Sequence, residues 1–312
     1  MKIIRSVDDM VSLPNGSVVT IGNFDGVHRG HQVLLSRLVA EAEQLTLPSV
    51  VVTFDPHPQK VLHPEKRPFY MLTTLDEKKE HLTSFGVDIL IIITFSREFA
   101  RTKPDAFVRD YLWSYLRMKM ILTGYDSAFG KNKEGDALFL RHLGKELDFS
   151  VEEIGAVMVD DHIVSSTAIR DAITEGNLSL AHRMLGRKYR FSGTVVKGHH
   201  RGTGIGIPTA NIQSEKVIPA SGVYAVTVHV DDCVRCGVLN IGFNPTFGNT
   251  KRSVEVHLFD FHEDIYGASI TVQFEACLRD EIAFSSPDDL VRQIRKDMDE
   301  ARKILGNFDE GT

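Results

Sequence analysis

Two stretches of this 312-residue chain hold residue types whose spacing suits phosphate chemistry. The first, Gly22-Asn23-Phe24-Asp25-Gly26-Val27-His28-Arg29-Gly30-His31, directly follows an apolar run at 18–21. Gly22 and Gly26 let the backbone come close to a ligand where a strand ends. His28 and His31 fall at the start of the next helix, where free N–H groups and the macrodipole favour anions. Two imidazoles three residues apart can face one anion together and donate hydrogen bonds as charge builds on its oxygens. Gly30 removes bulk between the rings, and packing alone gives no reason for the spacing H-x-G-H. The second stretch, "GHHRGTGIGIPTANI" at 198–212, has glycines at Gly198, Gly202, Gly204 and Gly206, enough freedom to wrap a polyphosphate. No G-K-[ST] ends it, so it is not a Walker loop. Its Pro208-Thr209-Ala210-Asn211 end supplies hydroxyl and amide oxygens, hard ligands suited to Mg²⁺. Further on, Val254, Val256 and Leu258 alternate with Glu255 and His257, which sets Glu255 on the face opposite its apolar neighbours. Taken alone, that is also how a solvated strand face reads.

Elements must hold these residues in place. Short β-branched runs at 18–21, 50–54, 89–95, 120–123 and 154–159 predict buried strands, and three- and four-residue apolar spacing predicts helices at 32–45, 75–85 and 104–118. Pro104 suits a first helical turn. Strand and helix in alternation imply a parallel sheet wrapped by helices, with ligands at the carboxyl ends of strands. Beyond residue 185 the pattern becomes antiparallel, with strands expected at 191–197, 223–230, 234–241, 254–261 and 270–278 in a small barrel or sandwich. A last helix starts at Ser286-Pro287-Asp288-Asp289 and runs through Leu290, Ile294, Met298 and Leu305. Short helices between 167 and 185 join the halves. The length itself suits two domains with separate cores.

A formal net charge of −6 with scattered basic residues disfavours extended nucleic-acid or membrane-surface binding, while leaving room for a small anion in one pocket. No run approaches the roughly 18 to 20 apolar residues that span a bilayer. The opening "MKIIRSVDDM" has acids where a signal peptide needs an apolar core, so a cytoplasmic protein is expected. Cys233 and Cys236 have knuckle spacing, but only Cys277 remains as a further cysteine and strand positions three apart face opposite sides. A metal or redox role is disfavoured.

The H-x-G-H turn resembles the nucleotidyltransferase superfamily, in which these residues hold ATP for direct attack on its α-phosphorus. Three more stretches, "TFDPHP" at 53–58, "GYDSAFGKNKEG" at 124–135 and "VSSTAIR" at 164–170, follow in an order similar to the adenylyltransferase half of bacterial bifunctional riboflavin kinase/FAD synthetases. The resemblance implies ATP contacts from Gly22, Asn23, Phe24, Asp25, Gly26, His28, Gly30, His31 and Asp126. It implies a clamp for the leaving pyrophosphate from Ser165, Ser166, Thr167 and Arg170, and FMN contacts from Asp55, Pro56 and His57. By themselves, 165–170 also read as an ordinary helix cap and 55–57 as a tight turn. Gly124, Asp126, Phe129 and Gly130 agree with the family, whereas Ser127 and Ala128 replace a Phe-Arg pair and Lys133 stands where Arg is common. Lys131 and Lys133 are the available substitutes.

The stretch at 198–212 resembles the signature of riboflavin kinases, and "GVYAV", "NIGFNPTFG", "VEVHLFDF" and "IYG" follow in that family's order. The likeness implies ATP contacts from Gly198, Gly202, Gly204, Gly206, Pro208, Thr209 and Asn211, with Thr209 and Asn211 holding Mg²⁺. It makes Glu255 the base that takes a proton from the ribityl hydroxyl, and puts Arg279 and Phe284 at the flavin. Thr203 and Ile207 depart from the basic and aromatic residues usual at those places. The fold implied is a Rossmann-like α/β nucleotidyltransferase domain with a parallel sheet at 1–185, followed at 186–312 by a small antiparallel β-barrel domain with a C-terminal helix. The partners implied are riboflavin, FMN, FAD, ATP, ADP and pyrophosphate, with no nucleic acid or membrane; the oligomeric state is not readable. Because the FMN phosphate is itself the nucleophile, no serine or cysteine nucleophile is expected. Other H-x-G-H enzymes are rivals: a cytidylyltransferase, or an aminoacyl-tRNA synthetase, which predicts a K-M-S-K-S-like loop and a basic tRNA face, neither of which is present. A flavin-binding regulator with decayed sites is expected to lose His28, His31, Thr209, Asn211 or Glu255, and all five are in place.

Overall fold

The structure, a computed structural model, describes residues 1–5, 13, 15–64, 69–198, 207–231, 233–243 and 252–306. The chain divides into two compact units, Met1–Ala168 and Ile169–Thr312.

In the first unit, β1 (Lys2–Ile4), β2 (Ser17–Ile21), β3 (Ser49–Asp55), β4 (Ile89–Thr94), β5 (Met118–Gly124) and β6 (Ser150–Ile154) form one sheet in the order β1-β4-β3-β2-β5-β6. Every neighbouring pair is parallel. Strands covered on both faces read as continuous apolar runs, which is why β2 to β5 stand out in the sequence. Successive residues feed opposite cores: Val19, Val50 and Val52 pack with Phe107, Leu112 and Leu140 on one face. Val18 and Val51 pack with Leu35, Leu38 and Leu82 on the other. The sheet order reverses between β2 and β5, so the loops leaving these two strands open onto the crevice where such folds bind ligands.

Helix α1 (Arg29–Leu45) buries Leu34, Leu35, Leu38 and Ala42 at helical spacing. After a single turn, α2 (Pro58–Leu62), helix α3 (Leu75–Ser84) begins with a capping box between Thr74 and Glu77, worth about 1 kcal/mol. α4 (104–116) starts on Pro104 and is π-helical over Phe107–Trp113. It stops at Arg117, which is left-handed with φ 43°. α5 (Ala137–Leu147), capped by Asp136, precedes β6 and was not anticipated from the sequence. The strand expected at 154–159 is a correction: the sheet strand is Ser150–Ile154, and β7 (Met158–Val159) pairs instead with β8 (His162–Ile163) in a small antiparallel ribbon. Gly155 interrupts the apolar run, and Asp160 at φ 51° turns the ribbon.

α6 (Ser166–Thr174) starts within the first unit and ends in the second, where α7 (Leu178–Leu185) follows. In the second unit β9 (Arg190–Val196), β10 (Ala210–Gln213), β11 (Gly222–Val230), β12 (Cys233–Phe243), β13 (Arg252–Leu258) and β14 (Ser269–Arg279) close a barrel in the order β10-β13-β12-β11-β14-β9. All contacts are antiparallel, and β9 completes the ring by pairing with both β10 and β14. Tyr189, Phe191, Tyr224 and Phe274 are buried aromatics of this unit. α8 (Pro287–Leu305), capped by Ser286, sets Met298, Ala301 and Leu305 against Val223, Ala225, Cys236, Val238 and Phe259.

Candidate active sites

At the end of β2, Gly22 N–H donates to Val52 O at 3.0 Å and the chain leaves the sheet. Phe24 and Val27 then take left-handed φ values of 48° and 37°, unusual for any side chain and most of all for a β-branched one. Such strain costs about 1–3 kcal/mol per residue and persists only where the surroundings over-determine it. Asp25 supplies that constraint. Its buried carboxylate accepts from Leu72 N (3.0 Å), Thr73 N (3.0 Å) and Thr73 Oγ1 (3.2 Å). Gly26 N–H donates to the same hydroxyl at 3.0 Å.

The turn delivers His28 as the N-cap of α1, its Nδ1 accepting from His31 N at 3.4 Å. The imidazoles of His28 and His31 lie stacked, with centroids 3.7 Å apart and planes 18° from parallel. A Cβ at position 30 would stand 3.2 Å from the His28 ring, which explains the glycine in H-x-G-H. Burial holds the His31 imidazole well below its ordinary range, and repulsion from His28 and Lys78 pushes the same way. A neutral ring keeps one N–H for donation, and the buried His31 Nδ1 has no partner among the described residues.

The other predicted residues of this half take varied positions. Asn23 O accepts from Thr53 Oγ1 at 3.3 Å. Asp55 and Pro56 are exposed at the end of β3, and His57 caps α2 through Nδ1 and stacks on Phe69 at 4.5 Å. Asp126 is exposed in the loop after β5, where Ser127 Oγ accepts from Gly124 N at 3.0 Å, so the departing serine closes its own turn. Ser165 is spent as a cap, accepting from Ala168 N at 3.1 Å. Ser166 Oγ donates to Asp25 O at 2.8 Å and so joins "VSSTAIR" to the histidine turn. Thr167 is exposed, and Arg170 lies one helical turn beyond Ser166, in the residues of the second unit. Sequence reasoning missed Thr73 and Lys78. A signal for Lys78 existed: Leu75, Lys78 and Leu82 form an i, i+3, i+7 stripe, which sets the lysine on the inward face of α3.

In the barrel, Asn211 and Asn240 flank Glu255 in the registers of β10 and β12 against β13. Thr209 Oγ1 donates to Glu255 Oε2 at 3.4 Å, and His257 Nδ1 lies 2.8 Å from Pro208 O. Glu255 and His257 are half-buried while Val254, Val256 and Leu258 are buried, the alternation expected of this strand. A Cβ on Gly198 would fall 2.0 Å from Asn211 Nδ2, so only glycine lets that amide lie across the start of the loop. Gly202, Gly204 and Gly206 lie outside the described residues. Arg279 grips the buried Asp297 of α8 with Nε and Nη2, the shortest contact being 2.8 Å, and its guanidinium stands 5.7 Å from the ring centre of Phe284. Thr209 and Asn211 offer oxygen donors of the hard kind a divalent cation takes beside phosphate oxygens. Among the described residues no three His, Cys, Asp or Glu side chains cluster in a way that could hold a metal. Cys233 is exposed and Cys236 buried, on opposite faces of β12.

A parallel sheet with paired imidazoles at its switch point, followed by a closed barrel with a Thr/Asn/Glu group, defines a two-domain transferase of phosphorus-containing groups. The sequence pattern of FAD synthetases matches residues 11–168, and that of riboflavin kinases matches residues 185–305. The chain is 40% identical over 309 residues to the bifunctional riboflavin kinase/FMN adenylyltransferase of Escherichia coli K12, covering 98% of each. It is 38% identical to that of Haemophilus influenzae, covering 98% of this chain and 100% of the relative. A crystal structure from Streptococcus pneumoniae, described as a macrolide-efflux protein, superposes with a TM-score of 0.84 at 34% identity, covering 97% of this chain and 99% of that one. In the present chain no helix among the described residues is long and apolar enough to cross a membrane. The chain belongs to the bifunctional riboflavin kinase/FMN adenylyltransferase family, with its FAD synthetase domain first and its riboflavin kinase domain second. Enzymes of these two kinds use ATP, generally with a divalent metal.

Proposed function

We propose that the two activities reside in the two sites described, with the functional boundary at 185/186. Support for that boundary comes from the riboflavin kinase match beginning at residue 185, although α7 and the part of α6 from Ile169 onward belong to the second compact unit. In the kinase half Glu255 accepts the proton of the ribityl hydroxyl as its oxygen attacks the γ-phosphorus of ATP, giving FMN and ADP. Thr209 and Asn211 would hold Mg²⁺, which would offset the negative charge of the transferring phosphate. Gly198, Gly202, Gly204, Gly206 and Pro208 surround the nucleotide, and Arg279 with Phe284 borders the flavin.

In the adenylyltransferase half a phosphate oxygen of FMN attacks the α-phosphorus of ATP. The new P–O–P linkage makes FAD, and the bond to the β-phosphate breaks to release pyrophosphate. His28 and His31 donate N–H groups to the oxygens on which charge accumulates. The turn at 22–26 and Asp126 hold the nucleotide, Ser165, Ser166, Thr167 and Arg170 the leaving group, and Asp55 to His57 the FMN. The substrates and products are riboflavin, ATP, FMN, ADP, FAD and pyrophosphate, and the protein acts in the cytoplasm without nucleic-acid or membrane partners.

The observation that carries this reading is the stacked His28–His31 pair at the amino end of α1, at the sheet's switch point. The test is a time course with riboflavin, ATP and Mg²⁺, the flavins separated at intervals: FMN appears first and FAD follows. Unchanged riboflavin at saturating ATP overturns it.

A further inference from the structure

Lys78 of α3 is 2% exposed, and its only hydrogen bond among the described residues runs from Nζ to Thr53 Oγ1 at 3.3 Å. No described carboxylate forms an ion pair with it. An ammonium taken out of water costs several kcal/mol unless a charge or a set of good acceptors replaces its hydration. One long contact to a hydroxyl does not do that. Asp25 and Asp55 act on it through the field only, and the carboxylate of Asp25 is already engaged by Leu72 and Thr73. An apolar side chain would fill this place on α3 at lower cost.

The place itself supplies a reason for the charge. Thr53 is two residues before the end of β3, and its hydroxyl also donates to Asn23 O in the histidine turn. Lys78, Thr53 and Asn23 therefore form a chain of contacts leading to the carboxyl ends of β2 and β3, and the lysine is close enough to His31 to lower its proton affinity. Adenylyl transfer brings the phosphate of one substrate against the triphosphate of another, two anions that repel until cations stand beside them. His31, held neutral, supplies hydrogen bonds but no net charge. Burial draws the Lys78 ammonium below its usual range, while Asp25 and Asp55 favour the charged form.

We propose that Lys78 is a further substrate-binding residue of the adenylyl-transfer site, its buried ammonium serving as counter-ion to a substrate phosphate. This rests on the functional reading above. The phosphate belongs either to FMN or to ATP, and kinetics separates the two. FAD formation is measured from supplied FMN and ATP for the wild type, Lys78→Met and Lys78→Arg, varying each substrate in turn, with circular dichroism melting as the check on folding. Lys78→Met is expected to lower kcat/KM by about tenfold to a hundredfold, the range for one hydrogen bond to a charged group. Lys78→Arg should recover much of the loss. A raised KM for FMN assigns the ammonium to the flavin phosphate, and a raised KM for ATP to the triphosphate. Values within threefold of wild type for both substrates overturn the proposal, whether or not the melting temperature moves. Should Lys78→Met not fold, Lys78→Gln, which keeps a polar end beside Thr53, takes the same test. Wild-type protein that makes no FAD from supplied FMN defeats the underlying reading rather than this assignment.

Discussion

On the proposed reading, the two candidate sites address the same kind of ligand with different parts of the polypeptide. In the first unit the proposed chemistry hangs on main chain: a turn with two left-handed side-chain residues, locked by Asp25 to a loop 47 residues away, delivers His28 as a helix cap. In the barrel it hangs on strand register, with Asn211, Glu255 and Asn240 brought together by three neighbouring strands in ordinary extended backbone and Thr209, just before β10, donating to Glu255. The first should therefore be sensitive to small changes of backbone and packing. The second should tolerate those better and depend on the side-chain oxygens themselves.

The sharpest separation should come from Glu255→Gln, which keeps the shape and removes the carboxylate proposed as base. FMN formation from riboflavin is expected to fall by about 10²- to 10⁴-fold, with conversion of supplied FMN to FAD near normal; joint loss of both would mean that the sites are not separate. Next, His31→Ala should slow FAD formation by about 10²- to 10³-fold, the usual effect of one transition-state donor, and leave riboflavin phosphorylation alone. A drop below threefold removes His31 from the chemistry. The backbone contrast is tested by two alanine substitutions. Gly30→Ala sets a methyl 3.2 Å from the His28 ring and Gly198→Ala sets one 2.0 Å from the Asn211 amide. The first should shift the His28 ring by a few tenths of an ångström and lose about tenfold in FAD formation. The second should displace the amide and reduce FMN formation only. If Gly30→Ala is harmless, the ring is less closely fixed than the contact implies.

The smallest effect is in stability. Burial and repulsion hold His31 below its ordinary value of 6.5, so the unfolded chain takes up the proton first as pH drops. Stability from this group is intact above that value and declines as pH falls below it, with a slope of at most about 1.4 kcal/mol per pH unit. Melting curves between pH 7.5 and 5.5 should show a shallower decline for His31→Ala than for wild type. Equal slopes would mean that His31 takes up its proton as readily in the folded protein as in the unfolded chain.

What could be read in advance follows the same division. β2 to β5 were legible because strands buried on both faces leave unbroken apolar runs, and H-x-G-H because its spacing is local. β10 was not, since Ala210-Asn211-Ile212-Gln213 is too short and too mixed to show a period. β1, at three residues, has the same defect. The 154–159 run misled because Gly155 splits it between two different partners. The tie from Asp25 to Thr73, and the reach of Lys78 to Thr53, depend on chain segments that meet only after folding. No window of sequence contains them.

The short strands at the margins of the first sheet have a bearing on self-association. β1 has only three residues and begins on Lys2, and β6 at the opposite margin carries Glu152 and Glu153, each held by an arginine at 2.9 Å. In the second unit the ring of strands, among the described residues, closes on itself. An unpaired row of amides that could template a neighbour is thus brief and charged in one half and missing in the other, the arrangement that keeps crowded copies from zipping together strand to strand.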